Sequence, residues 1–279
     1  MNWSVLTQPT TFGLLVVFAV LLVIQYVVNL YRSEQEENGV LDPVEWRPLQ
    51  LVDKKVVSHN TRRFRFGFPR HDQLLGLPVG KHVIMKGKTA EGDVIKPYTP
   101  VTDVRQRGYV DFVIKVYPEG RMSRHLDKME PGEELLFKGP RGAFEYKANS
   151  QKAIGMLAGG TGVTPMWQVA YHILSNPKDQ TKVSLIFGNL TEEDILIKEE
   201  LDALAKEYPE DFHLYYVVNE ASPGWTGGTG FITADTIKAH LPPPQEGTLT
   251  LRCGPPGMNK AMEGHLNSLG YSDSMQFQF

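Results

Sequence analysis

The chain has 279 residues, a formal net charge of -3 and 29 basic against 32 acidic residues mixed along its length. That balance provides no basic stripe and excludes nucleic-acid binding as the leading reading. A single cysteine, Cys253, excludes a disulfide framework, an all-cysteine iron–sulfur cluster and a multi-cysteine zinc site, and the eight histidines are scattered without ligand spacing. No metal is expected.

In chain order the first feature is an uncharged apolar run of nineteen residues, 12–30. A helix needs about 20 such residues to cross the hydrocarbon core, and Tyr26, Tyr31 and Arg32 suit its interfacial end. A signal peptide fits less well, because no basic segment precedes the run and no small-residue cleavage site follows it. The sequence therefore predicts a short tail (1–11), a transmembrane anchor (12–31) and a polar linker (32–42). Arg32 followed by Glu34, Glu36 and Glu37 gives only a weak vote for a cytosolic carboxyl-terminal part.

Residues 43–147 carry short strands with period-two alternation, such as TRRFRFGF, KHVIMKG, YVDFVIKVY and EELLFKGP, separated by Gly, Pro and Asp turns. Strands without intervening helices predict an antiparallel β-barrel. From residue 152 to 279 apolar strands alternate with helices, which predicts an α/β domain with a parallel sheet covered on both faces. A helix is predicted from Pro165, with Thr164 as its cap. Another is predicted to open at Thr191, with Asp194 three residues on as in a capping box.

Chemistry concentrates at the turns. Gly159-Gly160-Thr161-Gly162 lies between a strand and a helix, where glycines admit close approach and free N–H groups favour a phosphate. The same glycines also suit an ordinary strand–helix turn. Cys253-Gly254-Pro255-Pro256-Gly257-Met258 is a second turn at a strand's carboxyl end, the edge where ligands collect in open α/β sheets. Cys253 reads equally as a residue against a ligand's reactive ring and as a small core thiol. In the barrel, Lys96-Pro97-Tyr98-Thr99 offers a cation, a ring and a hydroxyl to a flavin nucleotide. Gly120-Arg121-Met122-Ser123 offers a second cradle, with Lys115 and Tyr117 sharing a face on the strand before it.

The order KPYT, VIKVY, GRMS, GGTGVTP, CGPPGM and an aromatic terminus resembles the ferredoxin-reductase-like flavoprotein superfamily, and within it the NADH–cytochrome b5 reductase family. The resemblance spans residues 42–279. It implies that the barrel holds FAD through Lys96, Pro97, Tyr98, Thr99, Val113, Lys115, Tyr117, Gly120, Arg121, Met122, Ser123 and Thr164. It assigns the nicotinamide cofactor, NADH, to Gly159, Gly160, Thr161, Cys253, Gly254, Pro255 and Met258. Thr99, Lys115 and Cys253 are the candidate catalytic residues: Thr99 for a hydrogen bond near flavin N5, Lys115 for charge at flavin or dinucleotide. Lys96 stands where relatives commonly have arginine, keeping the charge and losing the bidentate fork. Asn219 stands where some relatives carry an acid that repels a 2′-phosphate, which weakens NADH selectivity. Phe277 and Phe279 are either near the site or a frayed tail.

The implied acceptor is cytochrome b5, an external haem protein, with Lys54, Lys55, Arg62, Arg63 and Arg124 as a possible steering patch. Another acceptor (a quinone or small molecule) and a non-catalytic tethered module stay open. The expected location is the endoplasmic reticulum membrane with the catalytic part cytosolic, or else the mitochondrial outer membrane.

Overall fold

The computed structural model describes residues 16–25 and 39–279. Residues 16–25 form a helix, α1, with Phe18, Leu21 and Val23 exposed. Among the described residues no helix is long and apolar enough to cross a membrane. The rest of the predicted anchor and the linker up to residue 38 lie outside the described residues.

The first lobe contains β1 (Arg47–Ser58), β2 (Thr61–Gly67), β3 (His82–Thr89), β4 (Gly92–Tyr98), β5 (Tyr109–Lys115), α2 (Arg121–Lys128) and β6 (Glu134–Arg141). All its strand pairs are antiparallel, in the order β4-β3-β6-β1-β2-β5. Phe112 on β5 and Phe137 on β6 stand three strands apart in that order, which in a flat sheet means about 14 Å. Their ring centroids are 5.9 Å apart, and Phe66 and Phe137 approach to 4.9 Å. The sheet is therefore curled around a single aromatic core, with β4 and β5 as its two ends. Alternation sends Phe64, Phe66, Val83, Met85, Val110, Phe112, Leu135 and Phe137 inward. The lobe also holds a helix that strand patterning did not foresee. α2 begins inside the GRMS stretch and buries Met122 and Leu126.

The second lobe runs β7 (Ala153–Gly159), α3 (Val163–Leu174), β8 (Lys182–Asn189), α4 (Lys198–Glu207), β9 (Phe212–Val218), β10 (Gly228–Thr229), α5 (Ala234–His240), β11 (Thr248–Cys253), α6 (Pro256–Ser268) and β12 (Gln276–Gln278). Its sheet is parallel throughout, in the order β10-β9-β8-β7-β11-β12. One face packs Ile154, Met156 and Ala158 against α3, and the other packs Leu157 and Ile186 against Ile237 of α5 and Met262 of α6. From β7 the chain moves outward through β8, β9 and β10. It then returns to lay β11 on the opposite side of β7. The order reverses between β7 and β11, and such a switch point opens a ligand crevice at the carboxyl ends of the strands.

Two predicted helix starts are corrected. α3 begins at Val163 with Gly162 at its cap position, and the Thr164 hydroxyl donates to the Thr161 carbonyl (3.2 Å) instead of capping the helix. After β8 a 3₁₀ turn spans Glu192–Asp194, and α4 opens only at Lys198, preceded by Ile197 in the left-handed region (φ +48°). Thr191 does not cap a helix, because its hydroxyl bonds the Asp194 carboxylate (3.1 Å), which the other lobe also engages.

Candidate functional site

Both glycine turns sit at the switch point and interlock. Gly162 faces the Cys253 carbonyl so closely that a Cβ would overlap it, with the Gly254 nitrogen at 3.0 Å. A Cβ on Gly254 would meet Met258 Sδ at 2.8 Å and Gly159 Cα at 3.4 Å. Gly160 has φ +51° and open space above it. Beside that space a 3₁₀ turn (Gly160–Gly162) leads into α3 and takes up the Val163 N–H on the Gly160 and Thr161 carbonyls, while no side chain caps the helix, so its positive dipole end faces the space and favours an anion. The loop therefore fits a dinucleotide's phosphates.

Cys253 ends β11, and burial pushes its thiol up to about 11. The thiol is protonated at neutral pH and does not act as a nucleophile there. Alkylation of Cys253 in the native protein at pH 8 should run about a hundredfold slower than in the unfolded chain, as quantitative thiol labelling would report. Labelling at equal rates would contradict its burial. Beside it the terminus is ordered. β12 pairs with β11, the Phe279 N–H donates to the Arg252 carbonyl (3.0 Å), and Phe277 and Phe279 pack on Phe144 of the first lobe at 5.0 and 5.3 Å.

On the first lobe, Lys96 and Pro97 are exposed on the end strand β4, and Thr99 follows it. Lys96 has no ion-pair partner among the described residues, so a cation stands free beside a strand end. Tyr98 is half-buried, and burial first, then Tyr117, pushes its phenol up to about 12. Tyr117 keeps an exposed ring. Ser123 accepts from the Tyr117 N–H (3.1 Å) and donates to the Gly120 carbonyl (3.2 Å), which closes the turn. Arg121 pairs with Glu91 (2.9 Å) and donates to Thr89 (3.1 Å), across the β3–β4 hairpin. A free cation, an exposed ring and a tight turn of backbone donors suit a flavin nucleotide.

Lys115 lies between the lobes. Its ammonium pairs with buried Asp194 of the second lobe at 2.6 Å, and Asn60 donates to the same carboxylate at 3.2 Å. Val113 is buried in the core shared by both lobes. The predicted steering patch is also largely paired within the chain. Lys54 donates to the Asp127 and Met129 carbonyls, Arg62 pairs with Asp127 (2.9 Å), Arg63 pairs with Glu200, and Lys55 lies 3.5 Å from Asp53. Arg124 alone of the five has no such partner among the described residues.

Sequence reasoning missed Asp194, Asn60, Trp167 and Gln168, which join the lobes. Asp194 had a signal, an acid three residues after Thr191, but its partner lies 79 positions away.

Residues 48–146 match the oxidoreductase FAD-binding domain family, and residues 156–264 match the oxidoreductase NAD-binding domain family. The chain is 50% identical over 248 residues to NADH-cytochrome b5 reductase 1 of Dictyostelium discoideum, covering 89% of this chain and 86% of that one. The chain belongs to the NADH–cytochrome b5 reductase family. Identity to NADH-cytochrome b5 reductase 2 of Homo sapiens is 44%, covering 85% and 96% of the two chains. Among solved structures, the cytochrome b5 reductase domain of Ulva prolifera nitrate reductase superposes with a TM-score of 0.83 at 38% identity, over 86% of this chain and all of that one. As a member of the NADH–cytochrome b5 reductase family, the protein is an oxidoreductase with FAD and NADH as its cofactors.

Proposed function

We propose that this enzyme passes electrons singly from its reduced flavin to cytochrome b5, and that an anchor over residues 12–31 holds it to a membrane with the catalytic part cytosolic. When bound, NADH supplies a hydride, and FAD converts that pair into single electrons. The protein's own work is placement. Lys96 and Arg121 meet the FAD phosphates, Tyr98 and Tyr117 flank the nucleotide, and the Thr99 hydroxyl reaches the flavin edge. Gly159, Gly160, Thr161 and the positive dipole end of α3 receive the NADH phosphates. Cys253, Gly254, Pro255 and Met258 border the nicotinamide end, where the half-buried thiol stays neutral and places no charge beside the ring.

The observation that carries this reading is the pair of interlocked glycine turns at the β7/β11 reversal, next to a core shared with the first lobe. It supports two cofactor sites opening on one cleft. Support for the acceptor comes from the name shared by the relatives, and support for the anchor from the uncharged run of nineteen residues. Confining donor and acceptor to one membrane raises their effective concentration. The endoplasmic reticulum is the first expectation and the mitochondrial outer membrane the second.

Anaerobic titration of the purified protein should bleach its visible flavin band with NADH at far lower concentration than with NADPH. Asn219 supplies no negative charge, but no arginine cluster stands beside it to bind a 2′-phosphate. Equal bleaching by both would remove the NADH preference, and fast turnover with quinones alone would remove cytochrome b5 as acceptor. The full chain should stay with membranes through alkaline carbonate washing, whereas a chain starting at Leu41 should be released and still bleach with NADH. Release of the full chain would count against the anchor.

A further inference from the structure

Helix α3 presents its amino terminus to the dinucleotide cleft, and one turn later it grips the other lobe. Trp167 donates its indole N–H to the Val101 carbonyl at 2.8 Å. Gln168, buried to 4% exposure, accepts from the Gly80 N–H at 2.7 Å and donates to the Lys81 carbonyl at 3.3 Å. Adjacent residues of one helix thus hold two separate stretches of the first lobe, the entry to β3 and the segment after β4. Val101 lies two residues beyond Thr99, and its own N–H is fixed to the Asp111 carbonyl of β5 at 2.9 Å. Along the helix, Trp167 is about 6 Å from Val163 at 1.5 Å rise per residue.

We propose that Trp167 and Gln168 are positioning residues that set the register between the flavin-bearing end of β4 and the nicotinamide-bearing turn before α3. The inference rests on the FAD and NADH reading above. Apolar packing of Val101, Val113 and Phe144 against the second lobe already supplies cohesion between the lobes. Apolar contact is non-directional, so it resists separation more than sliding. Hydrogen bonds are directional and fix both offset and angle. Three of them radiate from one rigid helical turn, so a shift of the KPYT end relative to the glycine turn must break at least one.

The test uses purified holoenzyme carrying Trp167→Phe, which removes the donor and keeps a ring, or Gln168→Met, which keeps the length of the side chain and removes both of its hydrogen bonds. Flavin content, NADH dissociation constant, flavin reduction rate, melting temperature and the long-wavelength charge-transfer band of reduced enzyme with NAD are measured together. Both variants should retain FAD and bind NADH within about threefold of the parent, yet reduce flavin about tenfold more slowly, since 1 Å of misplacement costs up to about a hundredfold. The charge-transfer band, which depends on ring overlap, should weaken in parallel. A lowered melting temperature with unchanged reduction rate and unchanged band would make these residues merely structural and overturn the proposal. Should Trp167→Phe fail to fold, Gln168→Met decides alone. A parent protein that binds no FAD would instead sink the cofactor reading itself.

Discussion

Replacing Gly162 with alanine is expected to slow NADH-driven flavin reduction by about a hundredfold while leaving FAD bound. This follows from displacement on the 1 Å scale, where misplacement costs about that much. Gly162 has φ -65°, a conformation alanine adopts freely, so the effect comes from contact and not from backbone strain. The added Cβ would overlap the Cys253 carbonyl carbon and oxygen, which are backbone and cannot rotate aside. The CGPPGM loop must therefore move away from the GGTG loop, and the cleft between them widens where the nicotinamide ring is placed. Overpacking of this kind costs about 1–3 kcal/mol of stability, so the melting temperature should fall as well. Gly264 is the internal control, because it lies inside α6 with nothing within 4 Å of a built Cβ. Gly264→Ala should stabilise by about 0.5–1 kcal/mol through helix propensity and leave the kinetics unchanged. Stopped-flow reduction of the two variants separates the cases. A Gly162→Ala enzyme as fast as the parent would mean that the interlocked turns do not set the site.

The same comparison shows which parts of the molecule a sequence can express. Period-two alternation exposed the curled sheet because Phe64, Phe66, Phe112 and Phe137 each follow a local rule. The glycine turns were legible because close approach leaves glycine as nearly the only choice. Helix α2 was not, since its eight residues carry few apolar positions, and those are decided by the sheet beneath them. Strands β10 and β12 are two and three residues long, and they exist through pairing with β9 and β11 rather than through any propensity of their own. The charges misled most. Thr191 and Asp194 satisfy a local capping pattern, yet Asp194 bonds Lys115 and Asn60, far away in sequence. Lys54, Arg62 and Arg63 looked like a free basic surface for the same reason, because a sequence displays charges without their partners.

Removing the charge of Asp194 should be the most destabilising single change between the lobes. Burial raises its carboxyl, but hydrogen bonds from Lys115, Asn60 and Thr191 outweigh that and hold it at about 2, below the usual 3.8. A depressed folded value means that the carboxylate contributes its full stability above about pH 4 and loses it as pH falls through 2, so the contribution is constant from pH 5 to 8. Asp194→Asn keeps the shape and strands the Lys115 ammonium, which is only 19% exposed. Stranding one partner of a buried pair costs about 3–5 kcal/mol, and the residual exposure of Lys115 favours the lower end of that range. Replacing both partners together, as Lys115→Met with Asp194→Asn, should recover most of the loss, because no charge is then left unpaired and the amide still accepts from Asn60 or Thr191. Denaturant unfolding of the two single variants and the double variant at pH 7 gives the coupling energy directly. The neighbouring Arg63–Glu200 pair stays intact in all of them, so the lobes remain attached and FAD should be retained. If Lys115 instead served a cofactor and met Asp194 only incidentally, Asp194→Asn would leave stability unchanged and Lys115→Met alone would weaken cofactor binding. That outcome would return Lys115 to the role the sequence suggested.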